Sequence, residues 1–441
     1  MSKIFSTAKI NLLGRLSVPM ARKCFQRAVC DNALHEVTSS QKQLFVDVSV
    51  IIKNDGRTGI QRVVRSLLLQ LHRQCPDGWR VRPVFATRKQ GYHYAPEKFG
   101  LPDVQVSDLG GTAPVKIGQG DIFLGLDLAA HLLPLHKPQL AQWKRLGAEI
   151  HIMIYDLLPV LHPHWFNPKT TKNFHLWLRT IAIFSDSVIC ISNTVKAELD
   201  DWLRQKYSLA TGTIHINTIP LGADIASSVP SRGLPENIDQ LLTTLASKPT
   251  VLMVGTLEPR KGHSQVLAAF EELWQQGRDI NLVIVGKPGW KTEALQQRLR
   301  AHPQEKIRLY WLDNASDELL ALLYAGCTGV IVASQAEGFG LPLIEARHHN
   351  RPVLARDIPV LREIGGNFVT FFSGTSTGSL MNDIEFWLTQ VAIEQMPHRV
   401  PQHTWQNSAH KLLAHLGLGQ AALSQLGHGQ FSSSFAQESI A

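Results

Sequence analysis

Gly329-Val330-Ile331-Val332-Ala333 leads into Glu337-Gly338-Phe339-Gly340-Leu341-Pro342-Leu343-Ile344-Glu345. The first five residues read as a short buried strand. The segment after the glycines reads as a helix, with Pro342 at its first position. Gly338 and Gly340 let the backbone approach a ligand closely. The helix start aims N–H groups and a positive dipole end at that ligand. One carboxylate precedes the turn and one lies in the first helical turn. The combination suits an anionic, sugar-bearing ligand; the plain alternative is a tight strand–helix turn with surface carboxylates.

Strand–helix alternation extends on both sides of this stretch. Upstream it begins with a strand over Leu44 to Ile51, a glycine loop from Asn54 to Gly59, and an amphipathic helix from Ile60 to Arg73. Strands follow at 80–86, 122–125, 150–155, 187–191 and 213–219, with helices at 171–182 and 194–206 among them. A Ser/Pro/Gly-rich linker interrupts the pattern, which then restarts at Thr250 and continues through the opening stretch to Ala355. The reading is two Rossmann-like α/β domains facing across a cleft, each with a mainly parallel sheet. The boundaries are an N-terminal extension (1–41), a first domain (42–221), a linker (222–248), a second domain (249–400), a closing helix (401–417) and a loose tail (418–441).

The chain has 441 residues, 44% of them hydrophobic and 18% charged, which fits two or three folded domains and excludes a disordered protein. No apolar run is long enough to span a membrane. Five scattered cysteines without a CxxC pattern fit a reducing cytoplasm and neither a disulfide framework nor a zinc site. Six of the +8 net charges fall before the first acidic residue, Asp31, among apolar residues such as Ile10, Leu13 and Phe25. Such an arm lies either on an anionic membrane surface or against the protein itself. No nucleic-acid motif accompanies the charge. Nineteen histidines include the pairs His162/His164 and His348/His349, but neither has metal-ligand spacing, so no metal is expected.

A second constellation is Gly255-Thr256-Leu257-Glu258-Pro259-Arg260-Lys261-Gly262, again between a strand and a helix. Arg260 as a fork and Lys261 as a point charge suit a diphosphate. The plain alternative is a solvated basic pair.

Taken together, the paired glutamates, the Glu-Pro-Arg-Lys-Gly loop and the twin domains resemble glycosyltransferase family 4. The resemblance spans about Leu44 to Leu416 and is strongest from Val251 to Phe372. It implies a GT-B fold, retention of anomeric configuration, and a metal-independent hexosyltransferase without a cofactor. It implies catalytic roles for Glu337 at the donor sugar and for Arg260 and Lys261 at the diphosphate. Glu345 is implied at the ribose, with Gly338, Phe339, Gly340 and Leu341 around the sugar or phosphate. One departure is Thr256, where many members carry Arg. Gly59 and Arg62 match the family's cleft-facing loop, Arg62 as a phosphate or acceptor contact; a helix cap is the alternative. Asp156 matches the segment lining the sugar and acceptor side. The loops look most like mannosyl- and rhamnosyltransferases of surface-polysaccharide or lipopolysaccharide assembly. The donor leaning is GDP-mannose, with a saccharide or lipid-linked acceptor and a cytoplasmic, membrane-peripheral location. The alternatives are a catalytically silent sugar-nucleotide or polysaccharide module and a sugar-nucleotide epimerase.

Overall fold

The computed structural model describes residues 13–31, 41–96, 99–100, 113–225, 228–393 and 403–419. Lys3 and Lys9 of the basic arm and nearly all of the expected loose tail lie outside these residues.

The first sheet contains β1 (Lys42–Asp47), β2 (Trp79–Phe85), β3 (His93–Tyr94), β4 (Ile122–Gly125), β5 (Glu149–Ile154), β6 (Ser187–Cys190) and β7 (His215–Thr218). Its order is β3-β2-β1-β4-β5-β6-β7, parallel throughout apart from β3. The second sheet contains β8 (Thr250–Val254), β9 (Asn281–Val285), β10 (Leu309–Leu312), β11 (Gly329–Val332), β12 (Val353–Arg356) and β13 (Val369–Phe372). Its order is β10-β9-β8-β11-β12-β13, all parallel. β4, β6, β9 and β11 are buried along their whole length, as strands covered by helices on both faces must be. In the second sheet the strand order reverses between β8 and β11. Crevices at such a reversal, beyond the carboxyl ends of the strands, are where parallel sheets take ligands.

Two expectations change, and the closing helix gains a place. The strand expected over Leu44 to Ile51 stops at Asp47. Asp127 accepts hydrogen bonds from the Val50 and Ile51 amides at 2.7 and 2.8 Å, and Asp47 accepts one from Ser49 at 2.9 Å, so the chain turns there. The closing helix, Trp405–His415, packs on Gly59–Gln74 of the first domain, so the chain crosses back at its end. Trp405 is buried, and its amide donates to Asp224 at 3.1 Å. The linker's helix, Ile238–Ala246, packs on Asp317–Gly326 and so belongs with the second domain.

The N-terminal arm forms a helix, Val18–Cys30, that lies on helix Pro168–Phe184. Val18, Ala21 and Phe25 are buried, and Phe25 meets Phe184 with centroids 4.6 Å apart. Arg22 is buried too, donating to the Ala182 and Ser185 carbonyls at 3.0 Å where that helix ends. Basic side chains commonly satisfy the last carbonyls of a helix in this way. Lys23 and Arg27 remain exposed. Among the described residues no helix is long and apolar enough to cross a membrane.

Gly222 fixes the return of the closing helix, because a Cβ there would lie 2.4 Å from the Trp405 backbone nitrogen. Gly222→Ala is therefore expected to cost about 1–3 kcal/mol, as overpacking a tight contact does. Urea unfolding measures it; a curve superposing on wild type would contradict the packing.

Candidate active site

The loops after β8 and β11 meet at the point where the second sheet's order reverses. A Cβ on Gly262 would lie 2.4 Å from the Ala333 carbonyl oxygen, so the two loops touch along their backbones. The Gln335 amide donates to the Arg260 carbonyl at 2.7 Å, and Arg260 Nη1 donates to the Ala336 carbonyl at 2.9 Å. This brings together Glu337, Arg260 and Lys261, as the sequence predicts. Arg260 Nη1 lies 3.0 Å from Glu337 Oε2, and Lys261 Nζ donates at 2.5 Å to Oε1. Ser334 Oγ donates to the same oxygen at 2.6 Å. Glu258 adds a further carboxylate, 2.8 Å from Arg260 Nε.

Glu337 is buried, with 8% of its side chain exposed. Burial by itself would raise its carboxyl, but Lys261 and Arg260 overcome that and hold it at about 2. Burial likewise works to lower the Arg260 guanidinium, while Glu337, Glu258 and Asp156 carry it above its ordinary value. His263 sits beneath the loop, held neutral at about 3 by burial and then by Lys261.

The turn expected to bind a sugar meets the facing domain. A Cβ on Gly338 would lie 2.0 Å from the Tyr155 carbonyl oxygen in the first domain. The close approach that Gly338 permits is thus to the facing domain's backbone. Ser192 Oγ donates to the Gly338 carbonyl at 2.9 Å and accepts from the Val195 amide at 3.1 Å, so the cap of helix Asn193–Tyr207 is also a bridge between domains. Gly340 adopts φ 103 as the residue capping helix Leu341–His348, which puts Pro342 at its second position. Phe339 is buried. Asp156 follows β5, accepts from the Leu158 amide at 3.1 Å, and lies beside Arg260. Burial raises its carboxyl and Arg260 opposes that.

Glu345 and Arg62 come together, which the sequence does not disclose. Arg62 Nη1 donates to Glu345, Nη2 donates to Asp317 Oδ1 at 2.5 Å, and the Tyr324 hydroxyl donates to Glu345 Oε2 at 2.8 Å. Asp317 Oδ2 also accepts from the Ser231 amide and hydroxyl at 2.8 and 2.9 Å, tying the linker to this cluster. Arg62, expected at a phosphate or acceptor, is engaged here by two buried carboxylates, whose charge it compensates. Gly59 starts its helix behind a Thr58/Gln61 capping box, and a Cβ on it would lie 3.3 Å from Leu341 Cδ1. The loop is thus a helix cap, and it also abuts helix Leu341–His348 of the second domain. Asp317, Tyr324, Ser334 and Glu258 had no role assigned from sequence; all four take their places through tertiary contact. Among the described residues, no group of three or more His, Cys, Asp or Glu side chains is arranged to hold a metal ion.

Residues 236–400 match the family described as glycosyl transferases group 1. The serotype-specific mannosyltransferase WbdA of Escherichia coli is 38% identical over 431 residues, covering 96% of this chain and 49% of that protein. O-antigen chain mannosyltransferase B of Escherichia coli is 31% identical over 184 residues, 38% of this chain and 47% of that protein. The chain spans about half the length of the curated relatives it matches. Among solved structures, Anabaena Alr3699/HepE in complex with UDP and glucose superposes with TM-score 0.54 at 18% identity, covering 88% of this chain and 100% of that one. Sucrose-phosphate synthase from Thermosynechococcus elongatus gives TM-score 0.54 at 18% identity, with 88% and 98% covered. These two likenesses carry the fold, which is the twin-domain arrangement read from the sequence.

The Glu337 clasp has a pH signature. Its folded carboxyl lies below the ordinary value of 4.5, so its stabilisation is complete above that value and is lost as pH falls toward 2. Glu337→Gln is expected to lower the melting temperature most above about pH 5, with the gap to wild type closing toward pH 2–3. Thermal melts across that range check this; a constant gap would contradict the clasp.

Proposed function

Residues 236–400 belong to the glycosyl transferases group 1 family, and from that premise we propose that the chain is a retaining hexosyltransferase of surface-polysaccharide or lipopolysaccharide assembly. The observation that carries the reading is the Arg260–Lys261–Glu337 clasp at the reversal of the second sheet, facing Asp156 across the cleft. Two cations with a shared carboxylate, held at strand ends, are ready to receive a diphosphate. The mannosyltransferase relatives support mannose as the hexose and favour transfer over a silent binding module or an epimerase, and the donor proposed is GDP-mannose.

On this reading the donor ribose takes the place of Arg62 at Glu345. Arg260 and Lys261 hold the diphosphate, and Glu337 with the Phe339 to Leu341 backbone holds the sugar. The acceptor hydroxyl attacks from the face the diphosphate leaves. The bond from the anomeric carbon to phosphate oxygen breaks, the bond to acceptor oxygen forms, and the departing phosphate takes the hydroxyl proton. Charge developing on the phosphate is stabilised by the two cations, most strongly in the transition state. Asp156 lies on the acceptor side. Contacts across the domain boundary exclude water when the domains are closed.

The location proposed is the cytoplasmic side of a membrane. Arg15, Lys23 and Arg27 are exposed, and with Lys3 and Lys9 they form a basic set suited to anionic lipid headgroups. Changing these five to Gln keeps the packed face of helix Val18–Cys30 and is expected to lower partition onto anionic vesicles; unchanged partition would remove this role.

Lys261→Ala and Glu345→Gln are each expected to lower turnover by about 10²-fold or more with circular dichroism preserved. Near-normal transfer by both would overturn the site. In a thermal-shift series with GDP, UDP, dTDP and ADP, GDP is expected to stabilise most; a larger response to another base reassigns the donor.

A further inference from the structure

The chain leaving Asp156 along the rim of the first domain carries side chains that the transfer step does not use. It passes through helix Leu158–Leu161 into His162, His164, Trp165 and Phe166. His162 stacks on Trp165 with centroids 4.4 Å apart and planes 30° from parallel. His164 tilts onto the same ring at 4.9 Å. The second domain completes the cluster: Trp290, in the loop after β9, lies 5.8 Å from Phe166 and is 41% exposed. Trp290 Nε1 donates to the Trp165 carbonyl at 2.8 Å, and Lys291 Nζ donates to the His164 and Phe166 carbonyls at 2.7 and 3.1 Å. An open groove of about 480 Å³ continues from it between Pro163, Pro168 and His175.

This shelf is continuous with the candidate site at both ends. On the first domain it begins at His162, six residues after Asp156. On the second it is fastened to the loop bearing Arg260 and Lys261: the Leu257 amide donates to the Lys287 carbonyl at 3.0 Å, and a Cβ on Gly289 would lie 2.1 Å from the Leu257 carbonyl oxygen. Lys287 Nζ also reaches the Gly56 carbonyl at 3.1 Å in the first domain's glycine loop. The rings are therefore held in place by backbone hydrogen bonds while a large part of Trp290 stays in water.

Fixed, partly wet aromatic faces suit one kind of ligand. The π face carries partial negative charge and attracts the C–H-rich face of a pyranose ring, while imidazole nitrogens at the edge can bond its hydroxyls. Resting on the transferase reading, we propose that Trp165, Trp290, Phe166 and His162 form an acceptor subsite. It holds the pyranose rings of a saccharide chain back from the hydroxyl that reacts. A lipid surface fits less well, since insertion favours projecting side chains, and these rings are tied into a seam between two domains. Because the shelf draws on both domains, a bound saccharide chain also favours the closed arrangement in which they meet.

The test is isothermal titration of full-length protein, without donor, using a linear mannose octasaccharide and the disaccharide. Wild type is expected to bind the octasaccharide more tightly than the disaccharide. Trp290→Ala is expected to lose about tenfold in octasaccharide affinity, roughly 1.4 kcal/mol, with most of the preference for the longer chain. Trp290→Phe keeps a stacking face and is expected to retain most of the affinity. Octasaccharide affinity unchanged in Trp290→Ala would overturn the subsite, as would Trp290→Phe failing as badly as Ala, which would assign the loss to the hydrogen bond. Loss of vesicle partition with saccharide affinity intact would also overturn it, in favour of a lipid contact. The readout needs no turnover, so failure of Lys261→Ala and Glu345→Gln to impair transfer would sink the transferase site without deciding this result.

Discussion

A buried carboxylate between two cations is costly to take apart, since either partner left alone is an uncompensated charge in a dry place, worth about 3–5 kcal/mol. Glu337 with Arg260 and Lys261 is such a group. It joins the loops after β8 and β11 at the reversal of the second sheet, and the backbone contacts between Gly262, Ala333, Arg260 and Gln335 hold it there. A ligand bearing a diphosphate would give the two cations a new anion. On the proposed function, the clasp is the preorganised charge that electrostatic catalysis requires.

The domain boundary repeats the principle. Arg62 of the first domain is held between Glu345 and Asp317 of the second, and Asp317 also anchors Ser231 of the linker. Asn193 and Thr194, at a first-domain helix start, donate to the Glu363 carboxylate of the second at 2.7 and 2.8 Å. Gly338 lets the candidate sugar turn press on the Tyr155 carbonyl. Arg62, Glu345 and Gly338, which carry site assignments, are thus also among the residues that hold the domains together. On the proposed function, displacing Arg62 from Glu345 would exchange one boundary contact for a ligand contact.

Much of this was legible in the amino-acid sequence where the signal was local. β8 and β11 are short β-branched runs ending in glycine-containing turns, so the strand ends and the chemistry beyond them could be read together. The cap in the Gly59 loop, made by Thr58 and Gln61, was legible for the same reason. Long-range pairing was not. Arg62 and Glu345 lie 283 residues apart, and nothing around either marks the other as its partner. The strand expected beyond Asp47 failed because Asp127, in the bend after β4, draws the Val50 and Ile51 amides into a turn. The aromatic shelf was visible only as a histidine pair without metal spacing; its meaning came from Trp290, which the fold brings over from the other domain.

The central claim is that the two strand ends of the second domain form one sugar-nucleotide site. A crystal structure with GDP bound tests it most directly. The account predicts ribose hydroxyls within hydrogen-bond distance of Glu345, the diphosphate on Arg260 and Lys261, and Arg62 moved off Glu345. A nucleotide bound elsewhere, or in this cleft with the Arg62–Glu345 pair intact and the basic pair untouched, would contradict it.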